Sequence, residues 1–319
     1  MRFPARLLAA PVLAAVVLAS LAFPAAAQDK ARVLLDWFVN PDHAALVIAQ
    51  QRGFFAKHGL AVELIAPADP NAPPKMVAAG QADYAVSYQP ALQMLVAEGL
   101  PLVRVGVLVA QPLNALVTLE SGPIKSIADF KGRRIGYSVS GVEEATLAAM
   151  LESAGLTLRD VTLININFAL TTALMSGQVD GVIGAFRNFE LNELELAKAR
   201  GRVWPVEQHG VPPYDELIVV AKRETLDPTR TRRLLSALGE ATAWLKANPA
   251  EAWTVFAGYA KELDNELNKA AWKDTVPLLA DDPAALDRAR YDTFAAFLVQ
   301  RGLIKQAPPP DAYLHDMRP

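Results

Sequence analysis

Short apolar runs alternate with amphipathic stretches along most of the chain. Runs at 32–38, 61–65, 83–88 and 102–110 are rich in β-forming residues and bounded by Gly, Pro, Asn or Asp, so they predict β-strands. Between them lie stretches of helical spacing that end at glycines, including Gly53, Gly80 and Gly99. Strands that alternate with helices are typical of βαβ units and largely parallel sheets. The first third of the chain is therefore predicted to form an α/β lobe.

A second round of the same alternation begins near Ser121-Gly122-Pro123. Strands are predicted at 133–139, 161–167, 179–186 and 202–206, with helices between them. After a last strand at 216–220, only helical sequence follows, and no third sheet begins.

The pattern thus predicts two α/β lobes with mixed, mainly parallel sheets flanked by helices. We expect residues 28–117 to form the first part of lobe 1 and residues 118–213 to form lobe 2. Residues 214–319 are expected to supply the return crossing and the C-terminal helices of lobe 1. Two crossings between two lobes make a hinge, and a ligand held in the cleft is buried when the lobes close.

The first 27 residues have the pattern of a secretory signal peptide. Arg2 and Arg6 precede an apolar run at 7–23, and Ala25-Ala26-Ala27 supplies the small residues of a cleavage site. Pro11 interrupts the run, which is shorter than the ~20 residues of a membrane-spanning helix. An uncleaved anchor is the alternative. The pattern favours removal of residues 1–27 and a mature chain that begins at Gln28.

Composition narrows the classes of function. The chain has no cysteine, which excludes disulfides, thiolate metal sites, cysteine nucleophiles and a lipid-modified N-terminal cysteine. A Gram-negative periplasm is therefore the expected location. Without Arg2 and Arg6 the chain has 29 Lys and Arg against 34 Asp and Glu, a net charge of −5, which argues against nucleic-acid binding.

Four segments resemble one known family, in order and in spacing. They are LDWFVNPDH at 35–43, SYQP at 87–90, GAFRNFE at 184–190 and HGVPPYDE at 209–216. Together they resemble the NMT1/THI5-like group of periplasmic binding proteins, and within it the binders of the thiamine precursors formylaminopyrimidine or hydroxymethylpyrimidine. The resemblance extends over residues 35–221. It implies a type II-like periplasmic-binding-protein fold with a ligand cleft between the lobes.

The resemblance also implies a function. The chain is expected to be the solute-binding component of an ABC importer, acting as a monomer without cofactor, metal or catalytic residue and delivering its ligand to a permease with an ATPase. Fungal enzymes of the same group build the pyrimidine from pyridoxal phosphate and need a cysteine-rich iron motif, which this chain lacks. A synthase of that type, and a binder of riboflavin or a sulfonate, are the alternatives.

Candidate ligand-binding residues in the first lobe lie at or just after the ends of predicted strands. Trp37 and Tyr88 offer aromatic faces that can stack on a heteroaromatic ring, and the alternative for both is a place in the core. Asn40 and His43 lie on the loop after the first strand, at its carboxyl end, where α/β proteins bind ligands. The alternative for His43 is a structural role, in which it caps a helix or packs in the fold. Asn114, in the first crossing, either contacts the ligand or holds the crossing strand.

Glu190 is the main candidate in the second lobe. An aminopyrimidine presents a ring nitrogen beside an exocyclic amine, and a carboxyl group matches that edge with two hydrogen bonds when one proton is shared. Phe186 and Asn188 lie in the same turn and resemble the family pocket, and Arg187 is a candidate to orient Glu190. The alternative for Glu190 is a carboxylate that stabilises the first turn of a helix.

Four further acidic or aromatic positions bear on the ligand. Tyr214 and Glu216 lie where the second crossing is expected, with Tyr214 the stronger ligand-binding candidate and a hinge role the alternative. Ser140-x-x-Glu143 matches a helix capping box. Glu143 and Glu144 crowd this helix start with negative charge, and anions bind at uncluttered helix starts. The sequence therefore predicts a neutral or cationic ligand.

Overall fold

The computed structural model describes residues 28–318, so the predicted signal peptide lies outside the described residues. The described chain alternates strands and helices and forms two five-stranded mixed sheets. The predicted α/β class is confirmed. No helix within residues 28–318 is long and apolar enough to cross a membrane.

The strands of the two sheets follow in chain order. They are β1 Asp29–Leu34, β2 Leu60–Ile65, β3 Tyr84–Ser87, β4 Leu102–Val109, β5 Asn114–Leu119, β6 Arg134–Tyr137, β7 Thr162–Asn165, β8 Gly181–Phe186, β9 Gly201–Pro205 and β10 Leu217–Lys222.

The helices surround these sheets. They are α1 Ala44–Gln51, α2 Phe54–Lys57, α3 Pro73–Ala78, α4 Gln89–Ala97, α5 Val142–Glu152, α6 Leu170–Met175, α7 Glu190–Leu196, α8 Pro228–Ala247, α9 Pro249–Ala257, α10 Glu266–Thr275, α11 Arg288–Gln300 and α12 Pro310–Tyr313.

The two sheets have the same plan. The first lobe is built on the order β2-β1-β3-β10-β4 and the second on β7-β6-β8-β5-β9. In each sheet one strand runs antiparallel to both its neighbours: β10 between β3 and β4, and β5 between β8 and β9. Each of these strands has just crossed from the other lobe, through residues 110–113 or 206–216. Two crossings therefore join the lobes.

The carboxyl ends of the parallel strands fix where a ligand site can lie. In the first lobe β1 runs parallel to β2 and β3, and in the second lobe β6 runs parallel to β7 and β8. Loops and helix starts that follow β1, β3, β6 and β8 lie at these ends. Ligands of open α/β sheets bind beyond the carboxyl ends of the strands.

Each lobe has its own apolar core, and the C-terminal helices contribute to both. Helix α8 packs on α1 and α2, and its Leu238 is fully buried in the first-lobe core. Helix α11 instead places Phe294 and Leu298 beside Leu147 of α5 and Ile183 of β8. The C-terminal helices, which were expected to cover lobe 1, therefore also pack on lobe 2, and the residue limits of the lobes stay a prediction.

Two strands differ from the sequence prediction. The run at 32–38 was expected to be strand throughout, but β1 ends at Leu34 and Asp36-Trp37-Phe38 forms a bend. Strand β5 was not predicted as a separate strand. Only four residues separate β5 from β4. The sequence therefore shows no clear boundary between the crossing and β5 before the turn at Ser121.

Candidate functional site

The lobes line a cavity at the carboxyl ends of their strands, with about 530 Å³ of space free of protein atoms, part of which is open to solvent. Segments after β1 and β3 form its first-lobe side, and segments after β6 and β8 form most of its second-lobe side. The lining residues are Asp36, Trp37, Asn40, Asp42, Tyr88, Asn114, Val139, Val142, Glu143, Leu170, Gly184, Phe186, Phe189, Glu190 and Glu216.

Five carboxyl groups line this cavity, which makes it strongly acidic. They belong to Asp36, Asp42, Glu143, Glu190 and Glu216, all of which are buried. No Lys or Arg is among the lining residues in the part of the chain that the structure describes. Buried carboxylates without positive partners are costly, because burial removes the water that stabilises the charge. Such a cavity favours ligands that donate hydrogen bonds or carry positive charge.

Asp36 is held by two side chains of its own lobe. The Tyr88 hydroxyl donates to Asp36 Oδ2 at 2.8 Å, and His43 Nε2 lies 2.9 Å from Asp36 Oδ1. The backbone N–H of Asn40 donates to His43 Nδ1, so Nε2 carries the ring proton and donates to Asp36. His43 is thus occupied on both ring nitrogens and lies behind Asp36.

Asp42 connects the two lobes. Asn188 of the second lobe donates from Nδ2 to Asp42 Oδ1 at 2.6 Å and to the Thr275 hydroxyl at 2.7 Å. Burial raises the pKa of Asp42 to about 6, while the neighbouring His43 and the Asn188 amide oppose the rise. Asn188 of the second lobe therefore fixes the position of a cavity carboxyl that belongs to the first lobe.

Glu190 begins α7 and turns its side chain back toward the end of β8. The backbone N–H of Phe186 donates to Glu190 Oε2 at 2.7 Å, which fixes the carboxyl at the cavity wall. Burial raises the pKa of Glu190 to about 8, and this backbone hydrogen bond only partly opposes it. At neutral pH the group therefore retains its proton and can donate as well as accept a hydrogen bond.

Glu216 ties the two crossings together. Its Oε2 accepts from the backbone N–H groups of Leu113 and Asn114, at 2.7 and 2.9 Å, and from the Tyr214 hydroxyl at 3.1 Å. Burial raises its pKa to about 7, against the effect of these hydrogen bonds. The carboxyl reaches the cavity from the hinge.

Two expectations about charged neighbours are corrected. Arg187 was a candidate to orient Glu190, but its Nη1 pairs with Glu207 at 2.8 Å and its Nε donates to the carbonyl of Leu113. The capping box predicted at Ser140 and Glu143 is shifted by one residue. Glu144 accepts from the backbone N–H of Gly141 at the start of α5, and Glu143 points inward instead.

Aromatic side chains form the apolar walls. Trp37 packs edge-on to Phe168, with ring centroids 4.5 Å apart and planes at 70°, so it reaches the second lobe. Tyr88 meets Phe186 edge to face at 6.4 Å and 89°. The indole N–H of Trp37 is buried without a hydrogen-bond partner among residues 28–318. The walls therefore offer aromatic surface together with an unused donor.

The chain matches one family model over most of its folded part. The model, described as NMT1/THI5 like, covers residues 40–252. The chain belongs to the NMT1/THI5-like family. This confirms the resemblance drawn from the four sequence segments.

Relatives of this NMT1/THI5-like chain carry three kinds of name. It is 54% identical to a putative thiamine biosynthesis protein of Haemophilus influenzae, over 90% of this chain and 92% of that one. It is 31% identical to a formylaminopyrimidine-binding protein of Halalkalibacterium halodurans, over 85% and 84%. It is 26% identical to a 4-amino-5-hydroxymethyl-2-methylpyrimidine phosphate synthase of Uromyces fabae, over 80% and 78%.

A solved structure supports the fold. The alkanesulfonate-binding protein SsuA from Xanthomonas axonopodis pv. citri, bound to MOPS, superimposes with a TM-score of 0.71 at 18% identity, covering 91% of this chain and 99% of that one. The two-lobed periplasmic-binding-protein fold expected of an NMT1/THI5-like protein is thereby confirmed. At this identity the likeness concerns the fold alone.

Six of the nine predicted ligand-binding residues line the cavity of this NMT1/THI5-like protein: Trp37, Asn40, Tyr88, Asn114, Phe186 and Glu190. The other three lie behind it. Each holds a lining carboxyl: His43 holds Asp36, Asn188 holds Asp42, and Tyr214 holds Glu216. Their binding roles stay predictions.

Sequence reasoning missed several lining residues. Asp36 and Asp42 lie inside the quoted segment at 35–43, and their position after a strand end was a usable signal. Gly184 was also overlooked. Its φ of +94° is strained for other residues, and a Cβ there would lie 2.2 Å from the Glu143 carboxylate. The glycine therefore leaves room for Glu143 at the cavity wall.

Proposed function

We propose that the protein is the solute-binding component of an ABC importer and captures a 4-aminopyrimidine precursor of thiamine, formylaminopyrimidine or hydroxymethylpyrimidine. The observation that carries the proposal is Glu190, a buried carboxyl with a pKa of about 8 in a cavity walled by Trp37, Tyr88 and Phe186. A flat ring with an amidine-like edge fits both features.

The ring edge and Glu190 are complementary. The exocyclic amine donates to one carboxyl oxygen, and the ring nitrogen shares a proton with the other. Because Glu190 keeps a proton at neutral pH, the pair forms without leaving a net charge in the closed cavity. The ring itself is placed between Trp37 and Tyr88, whose faces supply apolar contact area.

The acidic lining argues against a sulfonate as the ligand. Sulfonates are anions, and this lining offers them no Lys or Arg among the described residues, while those of its carboxyl groups that carry a charge would repel them. The named relative that binds formylaminopyrimidine supports the pyrimidine instead. We therefore place the ligand with the thiamine precursors.

Delivery follows from the two lobes. Ligand binding favours the closed arrangement, because residues from both lobes line the cavity, and the permease with its ATPase receives the closed form. The proposed location is the periplasm, after removal of residues 1–27. Binding alone, without a chemical step, is the proposed activity.

Two measurements test this proposal. Native mass spectrometry of protein purified from its own periplasm should show a bound species with the mass of an aminopyrimidine. The purified protein should also gain thermal stability with hydroxymethylpyrimidine or formylaminopyrimidine and not with riboflavin or an alkanesulfonate. A shift with riboflavin or sulfonate alone would contradict the ligand class, and a yellow pyridoxal phosphate adduct on a lysine would favour the synthase.

A further inference from the structure

A second space adjoins the ligand cavity between the lobes. It has about 810 Å³ free of protein atoms, part of which is open to solvent. Glu190 and Trp37 line the ligand cavity but not the second space. The residues that line both are Asp36, Tyr88, Val139 and Val142. The second space therefore begins at the Tyr88 side of the cavity rather than at Glu190.

Helix α4 gives the second space the form of a channel. Its lining residues Ala91, Met94, Leu95 and Glu98 recur at helical spacing and so form one face of the helix. Ala91 is buried, Met94 and Leu95 are half-buried, and Glu98 is exposed, so this face leads from the interior to the surface. The rise of the helix from Ala91 to Glu98 is about 10 Å. This space, the α4 channel, thus connects the ligand cavity with solvent.

Met94 narrows the α4 channel. A Cβ added at Gly141, where α5 of the second lobe begins, would lie 3.4 Å from Met94 Cε. Met94 also packs against the apolar cores of both lobes. The side chain therefore reaches from α4 to the opposite wall. Methionine is unbranched and adapts its shape to its neighbours, so it can move aside for an apolar group that enters from the cavity.

The channel wall combines apolar surface with one unused hydroxyl. Val86, Ala91 and Leu95 supply apolar side chains. Ser87 also lines the channel, directly before Tyr88 in the sequence, and is 1% exposed. Its hydroxyl has no hydrogen-bond partner among residues 28–318, which is costly for a buried polar group. An amide followed by an apolar chain matches this wall.

We propose that the α4 channel is a binding subsite for 5-acylaminomethyl-4-aminopyrimidines whose acyl chain is longer than formyl. The inference rests on the proposed function and deepens it, because formylaminopyrimidine is the shortest member of this class. The amide of the ligand meets Ser87, and the acyl chain lies along α4 and displaces Met94. Hydroxymethylpyrimidine ends at the entrance of the channel.

The ring position that enters the channel follows from the contact with Glu190. Pairing of the ring nitrogen and the 4-amino group with Glu190 leaves positions 2 and 5 on the two flanks of that edge. Position 2 carries a methyl group in both proposed ligands, whereas position 5 carries the substituent whose length differs between them. The flank that opens into the channel at Tyr88 is therefore assigned to position 5.

Calorimetry with a series of amides tests the inference. The N-formyl, N-acetyl and N-butanoyl derivatives of 4-amino-5-aminomethyl-2-methylpyrimidine differ in acyl length alone. Each methylene group that is buried raises affinity by up to about fourfold. The wild type should therefore bind the butanoyl amide at least threefold more tightly than the formyl amide. A cavity that is closed at Tyr88 would bind the butanoyl amide more weakly.

Two variants locate the effect in the channel. Met94→Trp places a larger and more rigid side chain across it and should abolish the advantage of the butanoyl amide, while affinity for hydroxymethylpyrimidine changes less than threefold. Met76→Trp is the matched control, since Met76 is a partly buried methionine of α3 that lines neither space. This control should keep the wild-type preference.

Other results would overturn the inference. A wild-type gain of less than threefold for the butanoyl amide would do so without any variant, and this comparison decides alone if Met94→Trp fails to fold. An unchanged preference in a Met94→Trp variant that still binds hydroxymethylpyrimidine would also overturn it. Failure of the wild type to bind either hydroxymethylpyrimidine or the formyl amide would instead refute the proposed function, and the inference with it.

Discussion

Individual carboxyl groups are the residues on which this site depends, and neutral donors hold them. Tyr88 and His43 hold Asp36, an amide holds Asp42, and backbone N–H groups hold Glu190. Neutral donors satisfy some hydrogen bonds of a buried acid but do not neutralise its charge. A ligand that supplies hydrogen-bond donors or positive charge would therefore offset the remaining cost of burying these carboxyl groups.

Glu190→Gln tests the contact with the ring edge. Glutamine can keep the acceptor for the Phe186 N–H and donate from its NH₂ group to the ring nitrogen, but it cannot share a proton with that nitrogen, so the charge-assisted pairing is lost. Loss of this pairing should weaken binding ten- to a hundredfold, or about 1.5–3 kcal/mol. Calorimetry with hydroxymethylpyrimidine measures the effect, and Glu195→Gln on the exposed side of α7 is the matched control. Equal affinities of Glu190→Gln and the wild type would leave Glu190 with a purely structural role.

The raised pKa values predict how stability changes with pH. Asp42, Glu216 and Glu190 have pKa values of about 6, 7 and 8 in the fold, whereas unfolded carboxyls titrate near ~4. Between these values the native state binds more protons than the unfolded state, so the free energy of unfolding falls as pH rises. Ion-paired acids with lowered pKa values, such as Asp180, act only at lower pH.

The measurement is thermal unfolding of the ligand-free protein from pH 5.5 to pH 8.5. The melting temperature should decrease across this range, and Glu190→Gln should reduce the slope because it removes one of the three groups. A melting temperature that rises over the range would show that these carboxyls are not buried as described.

At the scale of elements, two loops hold the lobes together over the cleft. Asn71, before α3, donates from Nδ2 to the Ser138 carbonyl at 3.2 Å and accepts on Oδ1 from the Ser140 N–H at 2.8 Å. The side chain of Asp69 fixes the loop by accepting from Asn71. One amide therefore spans from the first lobe to the segment before α5.

Asn71→Ala should make the closed form open faster. The variant loses two hydrogen bonds, each with a net contribution of about 0.5–1.5 kcal/mol. This loss corresponds to roughly a tenfold rise in the ligand dissociation rate. Stopped-flow tryptophan fluorescence with a chasing ligand measures the rate, and Gln81→Ala, an exposed change in the same lobe, is the control. An unchanged dissociation rate would mean that the Asn71 contacts do not limit opening.

Sequence patterns identified elements better than they identified the partners of those elements. Alternating apolar runs predicted most strands, because burial of a strand in the core dictates the spacing of its apolar residues and the length of the run. The antiparallel places of β5 and β10 were not predictable, since their pairing depends on strands that are distant in sequence. At the site, the sequence likewise could not show which of Glu143 and Glu144 faces the cavity. Adjacent helical residues differ by about 100° of rotation, and only packing decides which one enters the cavity.

For the molecule as a whole, we propose that two lobes close over the amidine-like edge of an aminopyrimidine. Calorimetry of the wild type with 4-amino-5-hydroxymethyl-2-methylpyrimidine and with the same pyrimidine lacking the 4-amino group tests this most directly. We expect saturable one-to-one binding of the first ligand and at least tenfold weaker binding of the second, because the carboxyl of Glu190 then loses a hydrogen-bond donor. Absence of binding of the first, or equal affinity for both, would contradict it.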